Sequence, residues 1–369
     1  MTPPLDRLRG TARPKRHNAR TIAALTGNPG CSRRAVLDAA GVDKPALAER
    51  IGFPGSFGQS RFALARGTAF EAMLKADGCA LLREVLGVPA GVELGYEDLG
   101  ADADHTLVER HRRTEELLAG TPGAAMVDHP LLTLEVAGQQ VFLEPDLIAY
   151  QAEGRIRVVE IKSFALVDGQ ADGAKVSAAA VQAAVYVLAL RTLVRRLGAD
   201  EARVSHEIVL VCPENFTLRP TAVMLDVRKQ LSTLRRQLIR LRSVTEVIDA
   251  PPAGLSFDPE LPPSALIQAL GAVGARYAPE CLSACELSMF CRHEAAGTTA
   301  ALGRSVREAL GGIATVAEVL DLAAGRRESC DSSAPGPSAG ASGQRVDAPD
   351  DAAALLRAAA RLRAEALAG

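Results

Sequence analysis

The chain has 369 residues, and a prior of roughly 150 residues per domain allows two or three domains. At 48% apolar and 23% charged it can bury a core, which excludes disorder throughout. Its 42 Lys+Arg against 44 Asp+Glu give a net charge of -2, and it has no Trp, 4 Tyr and 9 Phe. A protein that coats nucleic acid by bulk positive charge is excluded, and one built on base-stacking aromatic platforms is disfavoured.

Residues 1–20 are Pro-rich and basic (Arg7, Arg9, Arg13, Lys15, Arg16, Arg20) without the apolar run of a signal peptide; the expectation is a flexible basic arm on a cytoplasmic protein. Helical patterning over 21–50 is interrupted at Gly27, Pro29 and Gly30, where Cys31 leads into Ser32-Arg33-Arg34. Phe62 to Leu86 predicts a long amphipathic helix, with Phe70, Met73, Leu74 and Leu81 recurring near a period of 3.6. Thr106 to Leu118 predicts a second helix with a charged outer face.

From Ala124 the apolar period shortens. Ala124–Val127, Leu131–Val136, Gln140–Tyr150 and Arg155–Lys162 read as strands, with turns at Asp128-His129-Pro130, Gly138 and Gly154, so a meander is expected. A helix over Lys175–Leu197 follows, whose apolar run Ala178–Leu190 is too short to span a membrane. Strands Val204–Cys212 and Thr217–Leu225 and a basic helix Val227–Val244 complete a mixed α/β domain over 21–298. Prolines 251, 252, 259, 262 and 263 mark an extended connector within it. A small helical extension is expected over 299–325, a disordered Ser/Gly/Pro/Asp linker over 326–350 and a short helix over 351–369.

The densest chemistry is Glu144-Pro145-Asp146 followed, fourteen residues after Asp146, by Glu160-Ile161-Lys162. Alternation along a strand puts Glu160 and Lys162 on one face, and pairing with the preceding strand can bring Asp146 beside them. Two carboxylates and an ammonium at one strand edge suit Mg²⁺-assisted phosphodiester hydrolysis: hard oxygen ligands hold the ion, its bound water loses a proton more readily, and the lysine positions or deprotonates that water. The same residues also fit an ordinary charged hairpin face. What favours chemistry is Pro145, which does not suit the interior of a paired strand, and the apolar residues flanking each charge.

Seven cysteines are too few for a disulfide scaffold, and an odd number leaves at least one unpaired. Cys281, Cys285 and Cys291 form C-x3-C-x5-C, a density of thiolates that calls for a soft or borderline metal. The fourth ligand is either Cys31, far upstream, or the local His293, which would complete a Cys₃His zinc site. Cys79, Cys212 and Cys330 read as ordinary thiols, and His17, His105, His111, His129 and His206 lack any partner spacing.

Glu-Pro-Asp followed by Glu-Ile-Lys on the next strand resembles the PD-(D/E)XK nuclease superfamily. Gln182 and Tyr186, which share a helix face at i, i+4, match the Gln-x-x-x-Tyr of its RecB-like branch. Gly67-Thr68-Ala69-Phe70-Glu71 matches that branch's Gly-x-x-x-His except that Glu71 stands at the His position. The resemblance implies a restriction-endonuclease-like α/β core, a mixed central sheet flanked by helices with a helical C-terminal extension. It also implies Mg²⁺ or Mn²⁺ held by Asp146, Glu160 and the Ile161 carbonyl with Glu71 completing the acidic site, Lys162 activating water, and Gln182 and Tyr186 holding substrate. Members with an iron–sulfur cluster, of the AddB and CRISPR-associated kinds, place one Cys before the nuclease core and three after it. Cys31, Cys281, Cys285 and Cys291 match that arrangement and would hold a [4Fe-4S] cluster stapling the two ends of the domain. The family spacing is C-x2-C-x5-C, so the extra residue here keeps Zn²⁺ as the alternative.

The expectation is therefore a metal-dependent deoxyribonuclease acting on DNA ends or single strands, without a membrane partner. No G-x-x-x-x-G-K-[ST] motif is present, so unwinding would fall to a helicase or another repair or defence partner. The alternatives are a zinc-stapled nuclease and a non-catalytic nucleic-acid-binding or assembly module that keeps the fold. Arg228, Lys229, Arg235, Arg236, Arg240 and Arg242 recur along one helix, either as a solvated face or as a phosphate-contacting surface. Base-specific duplex reading has no motif to support it.

Overall fold

The computed structural model describes residues 4–55, 61–88, 95–101, 105–120, 125–150, 155–215, 217–247, 254–326 and 348–368. Four short helices open the chain: α1 (Pro4–Arg9), α2 (Ala19–Ala24), α3 (Ser32–Ala39) and α4 (Lys44–Arg50). The long α5 (Arg61–Val85) leads to β1 (Gly95–Asp98), and α6 (Leu107–Gly120) to β2 (Ala125–Asp128), β3 (Leu132–Val136), β4 (Gln139–Leu143), β5 (Leu147–Tyr150) and β6 (Ile156–Ile161). After α7 (Gly173–Arg196) come β7 (Glu207–Pro213), β8 (Pro220–Asp226) and α8 (Arg228–Val247). The C-terminal part is helical: α9 (Pro263–Gly271), α10 (Cys281–Ala284), α11 (Ser288–Glu294), α12 (Arg304–Ala309), α13 (Val316–Ala323) and α14 (Ala348–Ala368).

The class is the expected one, α/β with a mixed sheet between helices. Six strands lie in the order β1-β2-β5-β6-β7-β8. β5 and β6 pair antiparallel, with Leu147 opposite Val159, whereas β6 and β7 are parallel and joined by α7 as the crossover. Alternation along β6 decides what each face meets. Val159 and Ile161 pack with Phe70 and Leu74 of α5, and Ile156 and Val158 pack with the Ala- and Val-rich side of α7. Asp172 caps α7 by accepting from the amides of Ala174 and Lys175. By length and composition α7 is apolar enough to cross a membrane, but 61% of its apolar window is buried inside the fold, as a core helix requires.

The expected meander does not form. The predicted strand Gln140–Tyr150 splits around Glu144-Pro145-Asp146, where Pro145 has no amide to donate to a ladder. β3 and β4 then pair as a separate hairpin whose Leu132, Leu134, Val141 and Leu143 join the α7-side core. β2 pairs directly with β5, and the unpredicted β1 adds parallel to β2.

The flexible arm expected over 1–20 is also overturned for residues 4–20. Leu8 of α1 is fully buried, its carbonyl accepts from the Phe257 amide at 2.6 Å, and Arg9 donates to the Ala40 carbonyl at 2.8 Å. Asn18 and Thr21 form a capping box at α2. Gly10 has φ +71°, and a Cβ there would lie 2.2 Å from the Asp258 carboxylate, so glycine is required at the contact between the two ends of the chain. These contacts belong to a second core in which Leu8, Leu37 and Ile51 pack with Phe257, Leu266 and Phe290 and with Cys281, Cys285 and Cys291. Most of the expected linker (327–347, including Cys330) lies outside the described residues. The expected terminal helix is α14, with Ala352 and Ala353 buried.

Candidate active site and cysteine centre

Asp146 precedes Leu147, and the β5–β6 register extended by one residue sets it opposite Glu160. Leu147 and Val159 face α5, so Asp146, Glu160 and Lys162 face α7. Asp146 Oδ2 accepts from the Ile161 amide at 2.7 Å, and the Lys162 amide donates to the Val211 carbonyl at 2.9 Å, which fixes the end of β6 between two neighbours. Lys162 Nζ lies 2.5 Å from Glu160 Oε1 and 4.0 Å from Asp146 Oδ2.

Glu160 is fully buried, and neither of its oxygens has a hydrogen bond of ordinary geometry, so the contact with Lys162 is an ion pair alone. Burial, followed by the Asp146 charge, pushes the Glu160 carboxyl up to about 8 against the pull of Lys162. Burial also raises Asp146, although Lys162 and the Ile161 amide oppose it. Burial works to lower Lys162, but Glu160 and Asp146 outweigh it and the net direction is upward. One ammonium does not compensate two carboxylates here. A divalent cation fits the site: it would displace the proton that Glu160 otherwise retains and supply a partner for Oε2, which has none.

Tyr186, 4% exposed, is raised first by burial and then by the Glu160 charge, which places its phenol beside the acidic pair. Gln182 Nε2 donates to the Tyr186 hydroxyl at 3.1 Å. Asp146, Glu160, Lys162, Gln182 and Tyr186 thus come together on one side of the sheet.

Glu71 does not join them directly. It sits on α5, across the sheet, with Lys75 Nζ at 2.5 Å from Oε1 and His129 Nε2 at 3.5 Å. The His129 hydrogen bond is the largest reason its pKa lies at about 2, with burial opposing. Lys75 also reaches Asp128 Oδ1 at 2.7 Å, and His129 Nδ1 lies 3.1 Å from Asp98 Oδ1. Tyr96 donates to Asp128 Oδ2 at 2.7 Å. His129 is pushed up to about 9, chiefly by Glu71, against burial and with further support from Asp98. The expectation that Glu71 completes the carboxylate pair is corrected: it is committed to an ion-pair network and acts on Asp146 only through space.

Sequence reading missed this network. Glu71–Lys75 was visible as an i, i+4 pair, but Asp128-His129 read as turn punctuation, and β1, which supplies Asp98, was not predicted. Among the described residues Asp98, Asp128 and His129 form the one group of three or more His, Cys, Asp or Glu whose ligand atoms all lie within 4.8 Å of one another. The Lys75 ammonium already stands there as the cation. Glu144 is exposed and pairs with Arg110 at 3.0 Å, outside the site.

Three of the four cysteines, Cys281, Cys285 and Cys291, lie in the second core, and the charge of Cys31 reaches Cys291. Cys31 is the N-cap of α3, Cys281 opens α10, Cys285 ends it and Cys291 lies on α11. Cys281, Cys285 and Cys291 are buried, Cys31 partly so, and none is in a disulfide. Burial raises Cys291 to about 12, with smaller upward pushes from Cys285 and Cys31, so Cys31 is within electrostatic reach of that thiol. His293, by contrast, is exposed with its ring against Phe53 (centroids 5.2 Å apart).

Donors point at the sulfurs: Asn28 Nδ2 lies 3.1 Å from Cys281 Sγ and Arg33 Nη1 3.3 Å from Cys291 Sγ. Arg34 lines a cleft with Cys31, and its Nη1 is buried with no hydrogen-bond partner. Thiolates holding a metal fit this surrounding, because neutral thiols give such donors little to bind.

Compared with family models and with curated proteins, the chain matches none.

Proposed function

We propose that this protein is a Mg²⁺- or Mn²⁺-dependent DNA nuclease with a restriction-endonuclease-like core of the RecB-like kind, stapled by a [4Fe-4S] cluster on Cys31, Cys281, Cys285 and Cys291. The observation that carries the nuclease reading is Glu160: a fully buried carboxylate, opposite Asp146 at a strand end, with Oε1 on Lys162 and Oε2 without a hydrogen-bond partner. Such a group is costly to keep unless a cation completes it.

Asp146, Glu160 and the Ile161 carbonyl would hold the divalent ion. When bound, the ion supplies a more acidic water and charge neutralisation at the phosphate. The remaining work falls to the chain's own groups. Lys162 donates to the attacking water or to a phosphate oxygen and so fixes its approach. The Gln182–Tyr186 pair, held by its internal hydrogen bond, presents polar groups to the DNA backbone beside the carboxylates. Near-neutral overall charge favours action at ends or single strands over coating of duplex, with a helicase or other repair or defence protein supplying opened DNA.

For the cysteine centre, the order of one cysteine before the core and three after it supports the cluster, with Zn²⁺ the alternative. A brown protein that bleaches with dithionite and contains iron and sulfide supports this assignment; a colourless one containing zinc overturns it. The nuclease reading is tested by incubating labelled single- and double-stranded DNA with the protein plus Mn²⁺ or EDTA. Cleavage with Mn²⁺ and none with EDTA is expected; absent cleavage leaves a non-catalytic binding module, and cleavage in EDTA overturns the metal-dependent reading.

A further inference from the structure

Buried cations crowd the cysteine core. Arg33, Arg34 and Lys44 are 3%, 5% and 5% exposed, and the buried carboxylate among them is Asp38. Asp38 pairs with Arg34 at 3.3 Å and with Lys44. Lys44 also reaches Glu286 at 3.3 Å and Arg33 pairs with Glu294, two glutamates that are partly solvent-exposed. Three buried cations thus lie beside the cysteines, with one carboxylate, Asp38, buried as deeply as they are. Lys44 and Arg34 act on Cys285, Arg33 donates to Cys291, and Arg34, whose buried Nη1 has no hydrogen-bond partner, lines one cleft with Cys31.

We infer that Arg33 and Arg34 set the reduction potential of the iron–sulfur centre and make it a redox-responsive group in addition to a staple. This rests on the cluster assignment above. A cluster with four thiolates is a doubly negative unit, and one electron from an external one-electron reductant makes it triply negative; no bond breaks and no proton moves. Buried cations and N–H···S hydrogen bonds stabilise the more negative form, so they raise the potential. Glu294, paired with Arg33, works in the opposite sense by drawing its charge away from Cys291.

Arg33 has a plain structural role as well. Its amide donates to the Gly274 carbonyl at 2.9 Å and its Nε to the Val273 carbonyl at 3.1 Å, tying α3 to the segment after α9. The test therefore uses variants whose effects differ in sign. Full-length wild type, Arg33→Gln, Arg34→Gln and Glu294→Gln are purified without oxygen, their iron and sulfide measured, and their potentials titrated by visible absorbance. The two arginine variants should titrate at more negative potential and Glu294→Gln at less negative potential, each at wild-type iron content. Where an arginine variant loses its iron, Glu294→Gln still decides: a potential unmoved from wild type overturns the inference. Equal potentials across all loaded variants do the same and leave the arginines as ties. A zinc-containing, colourless wild type overturns the cluster assignment together with this inference, whereas a brown protein with insensitive potentials overturns the inference alone.

Discussion

Two regions of this protein bury charge, and they do so with opposite sign. At the end of β6, Asp146 and Glu160 share one ammonium, and the surplus is negative. In the second core the buried charges are mostly cations: Arg33, Arg34 and Lys44 lie with one buried carboxylate, Asp38, and with the partly exposed Glu286 and Glu294. Buried charge is costly in either place, and on the proposed reading each region takes a guest of the other sign: a divalent cation on the carboxylates, and thiolates holding a metal among the cations. The first region lies at a strand end, and the second joins the first 53 residues to those after 255.

If that contrast is right, the largest effect comes from breaking the negative site. Lys162→Ala or Glu160→Gln should lower the cleavage rate by about 10²–10⁴, measured as kcat on labelled DNA, with melting temperature at or above wild type for Glu160→Gln. A variant that keeps wild-type activity removes Glu160 from the mechanism. Next comes the positive region. Cys285→Ala should abolish the visible spectrum and lower the melting temperature by roughly 10 °C, because the metal centre contributes to folding wherever it joins distant segments. An unchanged melting temperature would show that the thiols staple nothing.

The pH dependence is smaller and has a definite sign. Glu160 titrates at about 8 in the folded protein against an ordinary 4.5, so it favours the folded state fully below 4.5 and loses that contribution as pH rises through 8. In EDTA the melting temperature should fall across this window. With Mg²⁺ the fall should shrink, and in Glu160→Gln it should be absent. The smallest effect belongs to Glu71→Gln, less than about tenfold in rate, since Glu71 is held by Lys75 and His129. A loss as deep as that of Lys162→Ala would place Glu71 back among the metal ligands.

Much of this was readable in the residues. The 3.6 period placed α5, and the apolar run from Ala178 placed α7, each within a few residues of its ends. Order and spacing paired Asp146 with Glu160 and Lys162, because a hairpin register follows from chain geometry. What failed was long-range pairing. Nothing local says that β2 skips the β3–β4 hairpin to join β5, since that choice depends on the hairpin's apolar face finding α7. The arm misled for the same reason: Pro and Arg are abundant in disordered chains, while the apolar residues that anchor α1, Leu5 and Leu8, are isolated among charges. Glu71 was placed by a sequence match, and the network it joins through His129, with Asp98 and Asp128, comes from β1, β2 and the turn after β2, which no local pattern connects to α5.

The central claim, that Asp146, Glu160 and Lys162 form a metal-dependent phosphodiester-cleaving site, is tested most directly by one assay. End-labelled single- and double-stranded DNA is incubated with wild type and with Lys162→Ala, each with Mn²⁺ and with EDTA, and product lengths are resolved. Cleavage by wild type with Mn²⁺ alone, and its loss in the variant, is the predicted result. Equal cleavage by both proteins, or none by either, would contradict it.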